Sequence, residues 1–400
     1  MTIPVQLGAL AFDRGGHLLV KRALRSIPPG SSVEVCGTDP RLEVHLGGWC
    51  RAQGHGVARS ASDATPAWVV RREDADVGRW QGATRAGSPD PDVAGSVVDA
   101  PPRSWGLAAR GATVEAGGPE FDFALCHKAE VWADEARRLY QQAVSAQWDP
   151  ESAIDWREPF QLPEEVEDAV VQVMTYLIEN ETAALLVPAG FAAKLHPHFK
   201  EVLQLLAVQA ADEARHIEVF TRRATLRRDR LGLSTVGGQA SLKTLVDEPD
   251  FALASFLLSV LGEGTFLSLL RFLEVHAPDP LTRRIMHLTA RDEARHVAFG
   301  MAHLRRHVDQ DPGLLGRLAE SVHRRHAALR HTAGLNEEVF DALILLAAGS
   351  YRPEALERGF DLVVELQQEM DSSRQRRLVG IGFVAAEAAA LSALHTRNFM

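Results

Sequence analysis

A pentapeptide, Asp-Glu-Ala-Arg-His, occurs twice in the chain, at Asp212–His216 and at Asp292–His296. Each copy lies deep within a long segment whose apolar residues recur at helical spacing. The glutamate and the histidine of each copy are three residues apart, so both side chains project from one face of a helix. A carboxylate beside an imidazole is half of a metal site, and two such pairs make most of a dinuclear site.

A site of this kind in a helical bundle takes one further glutamate from each of two other helices. Glu181 lies 32 residues before Glu213, and Glu263 lies 30 residues before Glu293. In each half, a helix, a turn and an antiparallel helix would bring the lone glutamate level with the pair. The halves are offset by 80 to 82 residues, which indicates an internally duplicated helical hairpin. The predicted metal ligands are Glu181, Glu213, His216, Glu263, Glu293 and His296.

Both lone glutamates fall on helix faces that are mostly apolar. An unpaired carboxylate on such a face would be costly, and two metal cations would offset that cost. Glu179 is the rival of Glu181 for this role, but the helix face of Glu179 carries more polar residues. One Glu-x-x-His pair alone is usually a solvated polar pair. Two identical pairs, each with an upstream glutamate at matched spacing, favour a dinuclear metal site.

This set of residues resembles the ligand set of the ferritin-like di-iron carboxylate superfamily. That superfamily includes ribonucleotide reductase small subunits, R2-like ligand-binding oxidases and the p-aminobenzoate N-oxygenases. The resemblance covers roughly residues 145–310. It implies an all-α four-helix bundle that holds two iron ions, with a manganese–iron pair as the alternative. The N-oxygenases have an additional ligand histidine where this chain has Thr289, and no tyrosine directly adjoins a proposed ligand.

The resemblance also implies roles for the charged residues next to the ligands. A metal-bound histidine normally donates its second N–H to a carboxylate or carbonyl, which fixes its tautomer. Asp292 is therefore expected to bond His216, and Asp212 to bond His296, each across the two hairpins. Two arginines would neutralise these aspartates, with ordinary ion pairing along the helix as the alternative; they are Arg215 and Arg295.

Residues 1–75 carry a different pattern, in which strand-like and helical runs alternate. Residues 19–57 show a helix, a Pro-Gly turn, a strand, a Thr-Asp-Pro loop and a second helix, and resemble the sulfur-carrier domains of the TusA type. Where those domains have a Cys-Pro-x-Pro persulfide site, this chain has residues 13–16, Asp-Arg-Gly-Gly. Sulfur relay needs a thiolate. We therefore expect a degenerate α+β domain with a docking or structural role.

The rest of the chain divides into a linker and a long helical region. Residues 76–118 are rich in Gly, Pro, Ala and Ser, which is typical of a linker. Residues 119–400 are predicted to form a ferritin-like di-iron domain with extra C-terminal helices. The predicted helices are Glu164–Val187, His198–Leu231, Phe251–His276, Leu281–Val308, Leu314–Thr332, Asn336–Ala348, Arg352–Met370 and Ser373 to about His395.

Composition limits the classes of partner and compartment. The net charge of −10 is a poor match for a nucleic acid. Three cysteines form no disulfide framework and fit a reducing compartment. The N-terminus lacks the pattern of a signal peptide, and apolar runs such as Phe251–Leu261 are short for a membrane span. We expect a cytoplasmic protein that binds neither nucleic acid nor a membrane.

The predicted function is that of a non-haem di-iron oxygenase or oxidase. It would use O2 to hydroxylate or N-oxygenate a small organic substrate, with electrons from a ferredoxin or a reductase, and a homodimer is compatible with this. One alternative is a ferroxidase or peroxidase-type ferritin, which predicts a compact four-helix chain. Others are an R2-like Mn/Fe ligand-binding oxidase and a non-catalytic interaction protein. The N-terminal domain and the long C-terminal extension argue against the ferritin.

Overall fold

A computed structural model describes residues 2–61, 66–74, 80–330 and 337–394. The chain divides into two compact units. Unit 1 comprises residues 1–90 and 108–120, and unit 2 comprises residues 91–107 and 121–400. The candidate metal ligands all belong to unit 2.

Unit 1 contains a four-stranded sheet in the order β1-β2-β4-β3. Strands β1 and β2 are parallel, whereas β4 is antiparallel to both of its neighbours. Two helices pack on the sheet through a shared apolar core. The elements are β1 (Ile3–Gly8), α1 (Gly16–Arg25), β2 (Ser32–Gly37), α2 (Leu42–Gln53), β3 (Gly56–Arg59) and β4 (Ala67–Arg71).

The position of the missing persulfide site is a short 3-10 turn at Phe12–Arg14, directly before α1. Cys50 of α2 is fully buried, and burial raises the pKa of its thiol to about 11. An un-ionised buried thiol is a poor nucleophile. The side chain of Cys50 therefore belongs to the core of unit 1. Residues 62–65, which lie between β3 and β4 in the chain, are outside the described residues.

The segment predicted as a linker carries more structure than a flexible connection. Two short strands within it, β5 (Thr84–Arg85) and β6 (Thr113–Val114), pair antiparallel in unit 1. The stretch between them, residues 91–107, belongs to unit 2. Trp105 of that stretch is only 8% exposed. Burial of apolar side chains therefore orders a segment whose composition is typical of a linker.

The described part of unit 2 is all α, with α6, α7, α9 and α10 as its central helices. Helix α6 packs on α7, α9 packs on α10, and the C-terminal helices α12 and α13 cover α6 and α9 respectively. Its helices are α3 (Lys128–Val131), α4 (Ala136–Ser145), α5 (Pro150–Ala153), α6 (Glu164–Ala192), α7 (Lys200–Ala224), α8 (Val236–Val246), α9 (Phe251–Val275), α10 (Pro280–Gln310), α11 (Leu314–Leu329), α12 (Glu337–Ala348), α13 (Pro353–Ile381) and α14 (Ala385–Ala393). The predicted ferritin-like bundle with C-terminal helices and a small α+β part is confirmed.

Several helix boundaries differ from those predicted. Helix α6 continues through Pro188 to Ala192, because buried side chains of its final turn, such as Phe191, outweigh one lost backbone hydrogen bond. Helix α7 ends at Ala224 rather than near residue 231. Helix α8 was not predicted: it contains the Gly237-Gly238 pair, and its N-terminus is capped by the Thr235 side chain.

The C-terminal helices also differ from the prediction. The last predicted helix, from Ser373, is instead divided between the end of α13 and α14. Helix α13 continues through the break predicted near residue 372 and extends to Ile381. It ends where Gly382 adopts a φ of +125°, a conformation that favours glycine. Residues 331–336 and 395–400, which include predicted ends of three helices, lie outside the described residues.

Helix α9 is interrupted by a π-helical segment, Phe256–Glu263, that the sequence did not predict. Such segments are rare and frequently occur at functional sites. Its neighbour α10 approaches closely at Gly300, where a Cβ would lie 2.3 Å from the Ser259 Cβ. The length of α9 and its mean hydropathy of 1.7 would allow it to cross a membrane. The run Phe251–Leu261, considered alone, had indicated that this segment was too short. Since 94% of that apolar window is buried in the fold, α9 is accounted for as a core helix.

Candidate metal centre

The six predicted ligands converge inside the bundle. Helix α6 supplies Glu181, α7 supplies Glu213 and His216, α9 supplies Glu263, and α10 supplies Glu293 and His296. All six side chains are at most 5% exposed, although four of them are carboxylates. Isolated charges are not normally buried in this way, so the cluster requires compensating positive charge.

The six residues form two overlapping groups. In each group of four, one ligand atom from every residue lies within 4.8 Å of the others. Glu213 and Glu293 belong to both groups, which is the position from which a carboxylate can bridge two cations. The remaining members are Glu181 and His216 in one group, and Glu263 and His296 in the other. The groups could therefore bind two metal ions, as predicted.

Both histidines direct the same ring nitrogen into the cluster. Nδ1 of His216 lies 3.0 Å from Glu213 Oε2, and Nδ1 of His296 lies 3.0 Å from Glu213 Oε1. Their Nε2 atoms point outward: that of His216 lies 3.2 Å from Asp292 Oδ2, and that of His296 lies 3.3 Å from Asp212 Oδ2. Each histidine thus contacts the aspartate of the opposite hairpin through Nε2, and its Nδ1 faces the glutamates of the cluster.

The two aspartates are held by a layer of hydrogen-bond donors. Arg215 Nη2 donates to Asp292 Oδ2 at 2.8 Å and also contacts Asp212, while Arg295 bonds Asp292. Although burial acts to raise it, hydrogen bonding to His216 and the two arginines hold the pKa of Asp292 well below its usual range. Asp292 therefore stays ionised and can orient the imidazole.

Two residues after α4 complete this layer and were missed from the sequence. Gln147 Nε2 donates to Asp212 Oδ1 at 2.7 Å, and Trp148 Nε1 donates to Asp292 Oδ2 at 2.7 Å. The Arg215 guanidinium lies 4.6 Å from the Trp148 ring centroid. Neither residue belongs to a repeat or a periodic pattern, so no signal in the sequence marked them.

A third residue missed from the sequence contacts a predicted ligand directly. Gln209, one turn before Glu213 on α7, donates from Nε2 to Glu263 Oε1 at 2.8 Å. Glu263 is the last residue of the π-helical segment, and its second oxygen is left for the cluster. The amide thereby fixes the orientation of this carboxylate.

The electrostatics of the cluster favour bound cations. Burial, followed by repulsion from Glu213 and Glu293, raises the pKa of Glu181 well above its usual value. Burial opposes protonation of His296, yet the carboxylates around it raise the pKa of its imidazole well above the usual value. Carboxylic and imidazolium protons are both stabilised because the site has an excess of negative charge. Two divalent cations would supply four positive charges against four glutamates.

Unpaired acceptor atoms give a second test of whether metal ions fit. Buried oxygens without a hydrogen bond occur on every one of the four glutamates, and the 3.0 Å contact between Glu213 Oε1 and His296 Nδ1 is not aligned as a hydrogen bond. Buried polar atoms in proteins are nearly always satisfied, so such a concentration needs a partner. Carboxylate oxygens and imidazole nitrogens suit iron and manganese, whereas structural zinc sites more often include cysteine. The residues present fit a dinuclear iron or manganese–iron centre.

Neither ligand group includes the other residues named in the sequence analysis: Glu179, Thr289 and Tyr176. Glu179 is half-buried and does not join either group, so Glu181 occupies the position for which the two competed. Thr289 is buried one turn before Glu293 with an unpaired hydroxyl. Tyr176 packs against Phe266, at 5.9 Å between ring centroids, rather than against a ligand.

The fold and this site define a ferritin-like helical bundle with a buried carboxylate–imidazole site for two metal ions. No family model matches the chain, and no curated protein matches it. Among the solved structures that the chain resembles is an R2-like ligand-binding oxidase with aerobically reconstituted Mn/Fe cofactor (long soak). The sequence identity is 20% and the TM-score is 0.47, and the match covers 62% of this chain and 93% of the oxidase. Another is an R2-like ligand-binding oxidase with aerobically reconstituted metal cofactor after photoconversion, at 18% identity and a TM-score of 0.44, covering 66% and 95%.

Proposed function

We propose that this protein is a non-haem dimetal oxidase or oxygenase that uses O2 to hydroxylate or N-oxygenate a small organic substrate. The observation that carries the proposal is the convergence of four glutamates and two histidines, all buried, with unpaired oxygens on every glutamate. Such a donor set serves no evident structural purpose, because its metal-free form concentrates like charges in the core.

The proposed metal ligands are the six residues of the cluster. Glu213 and Glu293 would be shared between two ions, and each remaining Glu–His pair would complete one of them. When bound, two iron ions or a manganese–iron pair supply redox chemistry toward O2 that no side chain can provide. Inserting one oxygen atom into the substrate and reducing the other to water consumes two electrons and two protons beyond those of the substrate.

The protein's own residues would orient the ligands and control charge. The Asp292 and Asp212 carboxylates hold the outer nitrogen of each histidine, which fixes the tautomer with Nδ1 directed inward. Gln209 holds one oxygen of Glu263. Burial of the whole cluster excludes water from the reacting groups.

Electrons would come from a ferredoxin or a reductase. A cavity of about 280 Å³ lies beside Asp292, and three arginines line it: Arg284, Arg291 and Arg295. Positive lining complements an acidic donor protein. We further propose a cytoplasmic protein, since its cysteines are free thiols, in which unit 1 is a docking module without sulfur-relay chemistry.

Metal analysis of the full-length protein tests the proposal. We expect about two iron ions, or one iron and one manganese, per chain after expression with both metals. Glu213→Ala should abolish binding at both positions because Glu213 belongs to both groups. Glu218→Ala, which removes an exposed glutamate of the same helix, is the matched control and should retain both ions.

The second measurement is O2 consumption after anaerobic reduction of the loaded protein. Two ions per chain with O2 uptake that Glu213→Ala abolishes would support the proposal. Absence of bound metal in the wild type would refute it. Large cage-like assemblies that accumulate many irons per chain would instead favour the ferritin alternative.

A further inference from the structure

The two metal positions are built from one repeated motif, but they are not equivalent. Glu181 and His216 join the shared glutamates in one group, which we call the α6 side after the helix of Glu181. Glu263 and His296 join them in the other group, which we call the α9 side. The side chains one turn before the ligands differ between the two sides.

Neutral donors hold the carboxylate of the α9 side. Gln209 precedes Glu213 by four positions, and its Nε2 donates to Glu263 Oε1 at 2.8 Å. Ser259, four positions before Glu263, adds a buried hydroxyl beside the same carboxylate. Glu263 is therefore held in one orientation by an amide and a hydroxyl.

The carboxylate of the α6 side has no such donors. Leu177 stands four positions before Glu181, where the α9 side has Ser259. Among the described residues, no amide or hydroxyl bonds Glu181: its Oε2 lies 3.5 Å from His216 Nδ1, and its Oε1 has no hydrogen-bond partner. Glu181 can therefore change its orientation without breaking a bond to a neutral donor, whereas the carboxylate of the α9 side cannot.

Thr289 takes the place of Gln209 in the second copy of the motif. It precedes Glu293 by four positions, so it lies on the ligand face of α10. The adjacent Leu288 belongs to the same apolar core as Leu177 of α6, so α6 and α10 share one core at this level. By the internal repeat, Thr289 faces the α6 side as the amide faces the α9 side, but its shorter side chain bonds no ligand.

The Thr289 hydroxyl is buried and uncommitted. Thr289 is 0% exposed, and its Oγ1 has no hydrogen-bond partner. Thr175 and Thr225, by contrast, donate to the carbonyl four positions earlier in their own helix, at 2.7 and 2.8 Å. Buried hydroxyl groups are nearly always satisfied. Thr289 is thus a donor at the metal centre whose acceptor is not among the described residues of this chain.

We infer that the Thr289 hydroxyl positions a small anionic ligand on the metal ion of the α6 side. The ligand accepts the hydrogen bond of Thr289, and Glu181 moves to admit it. The α9 side, where Gln209 fixes the carboxylate, takes no such ligand. This inference rests on the two-ion centre of the proposed function and goes beyond it, because it assigns ligand exchange to one ion and a positioning role to Thr289.

The test measures azide binding to the full-length, iron-loaded and air-oxidised protein, through the visible absorption that azide gives on ferric iron. Thr289→Val keeps the shape but removes the donor, and should weaken azide binding about tenfold. Thr289→Gln introduces the amide of the other side and should abolish azide binding while both ions stay bound. Thr225→Val is the control: its exposed hydroxyl bonds its own helix, and azide binding should be unchanged.

Thermal unfolding of the metal-free protein supplies a second readout. Because the Thr289 hydroxyl makes no hydrogen bond, Thr289→Val should leave the Tm unchanged or raise it; a lowered Tm would show a structural role and overturn the inference. Wild-type protein that holds two ions but binds no azide would also overturn it, as would a Thr289→Val variant with wild-type azide affinity, even if Thr289→Gln fails to fold. The metal content of each sample separates these outcomes from a failure of the proposed function, which is refuted only if the wild type binds no metal.

Discussion

His216 Nε2 lies 3.2 Å from Asp292 Oδ2, although the two residues are 76 positions apart and belong to different hairpins. His296 makes the equivalent contact with Asp212 at 3.3 Å. The outer nitrogen of each imidazole is therefore fixed by the half of the bundle that does not contain it.

Replacing this aspartate should weaken metal binding without removing a ligand. Asp292→Asn keeps the shape but loses the charge that favours Nδ1 as the metal-binding nitrogen. We expect metal affinity to fall by roughly 10- to 100-fold, as is typical for residues that orient a ligand. Competition with a chelator measures this. Asp309→Asn, at an exposed position of the same helix, should match the wild type; equal affinities for both variants would contradict the role of Asp292.

Removing the Glu181 carboxylate should weaken metal binding without lowering the stability of the metal-free protein. Glu181→Gln replaces a buried carboxyl group by an uncharged amide. Burial and two neighbouring glutamates raise the pKa of that carboxyl group. We expect the Tm of the metal-free variant to equal or exceed that of the metal-free wild type. The increase in Tm on adding Fe(II) anaerobically should be reduced. A variant that is less stable without metal and equally stabilised by it would show that Glu181 has a structural role.

The close approach of α10 to the π-helical segment should be sensitive to one methyl group. At Gly300 a Cβ would meet the Ser259 Cβ at 2.3 Å, so Gly300→Ala must shift one helix. We expect a loss of about 1–3 kcal/mol in the free energy of unfolding, measured in urea. Gly316→Ala places a methyl group in open space on α11 and should stabilise by about 0.5–1 kcal/mol. Identical effects of the two substitutions would exclude a packing constraint at Gly300.

A buried ion-pair network joins α7 to the ends of two other helices. Arg223 is fully buried and donates to Glu167 Oε1 at 2.6 Å and to Asp279 Oδ2 at 2.8 Å. Arg223→Met would strand two buried carboxylates and should cost about 3–5 kcal/mol in the free energy of unfolding. Arg222→Met removes a solvent-exposed pair with Glu151 and a cation–π contact with Trp156, and should cost about 2 kcal/mol or less. Denaturant titration of both variants distinguishes these values.

A buried histidine outside the metal centre should make stability depend on pH. Burial, followed by the nearby His307, lowers the pKa of His303 to about 4. Its folded-state pKa lies below the unfolded value of about 6.5. The stabilising contribution is therefore complete above pH 6.5 and is lost as the pH falls toward 4, by about 3 kcal/mol. His303→Phe should flatten this part of the stability profile, measured by urea unfolding between pH 4 and 7; parallel profiles would contradict it.

The bundle and its convergent acidic and imidazole groups could be predicted because they depend on periodicity and exact repetition. Glu213 and His216 share a helix face by spacing alone, and the second copy repeats the signal. The π-helical segment, which ends at Glu263 and packs closely against Gly300 of α10, was not predictable from helical periodicity, since such packing exists only in the folded chain. Trp148 was missed for the same reason: its partner Asp292 is 144 positions away, and only the folded chain brings them together.

The crossed contacts between histidines and aspartates mean that neither hairpin, expressed alone, contains a complete ligand environment. A single hairpin would contain one Glu-x-x-His pair, but not the aspartate that contacts the outer nitrogen of its histidine. The imidazole could then rotate. Because each ligand group also contains a glutamate of the other hairpin, binding of either metal ion would require both hairpins to be folded against each other.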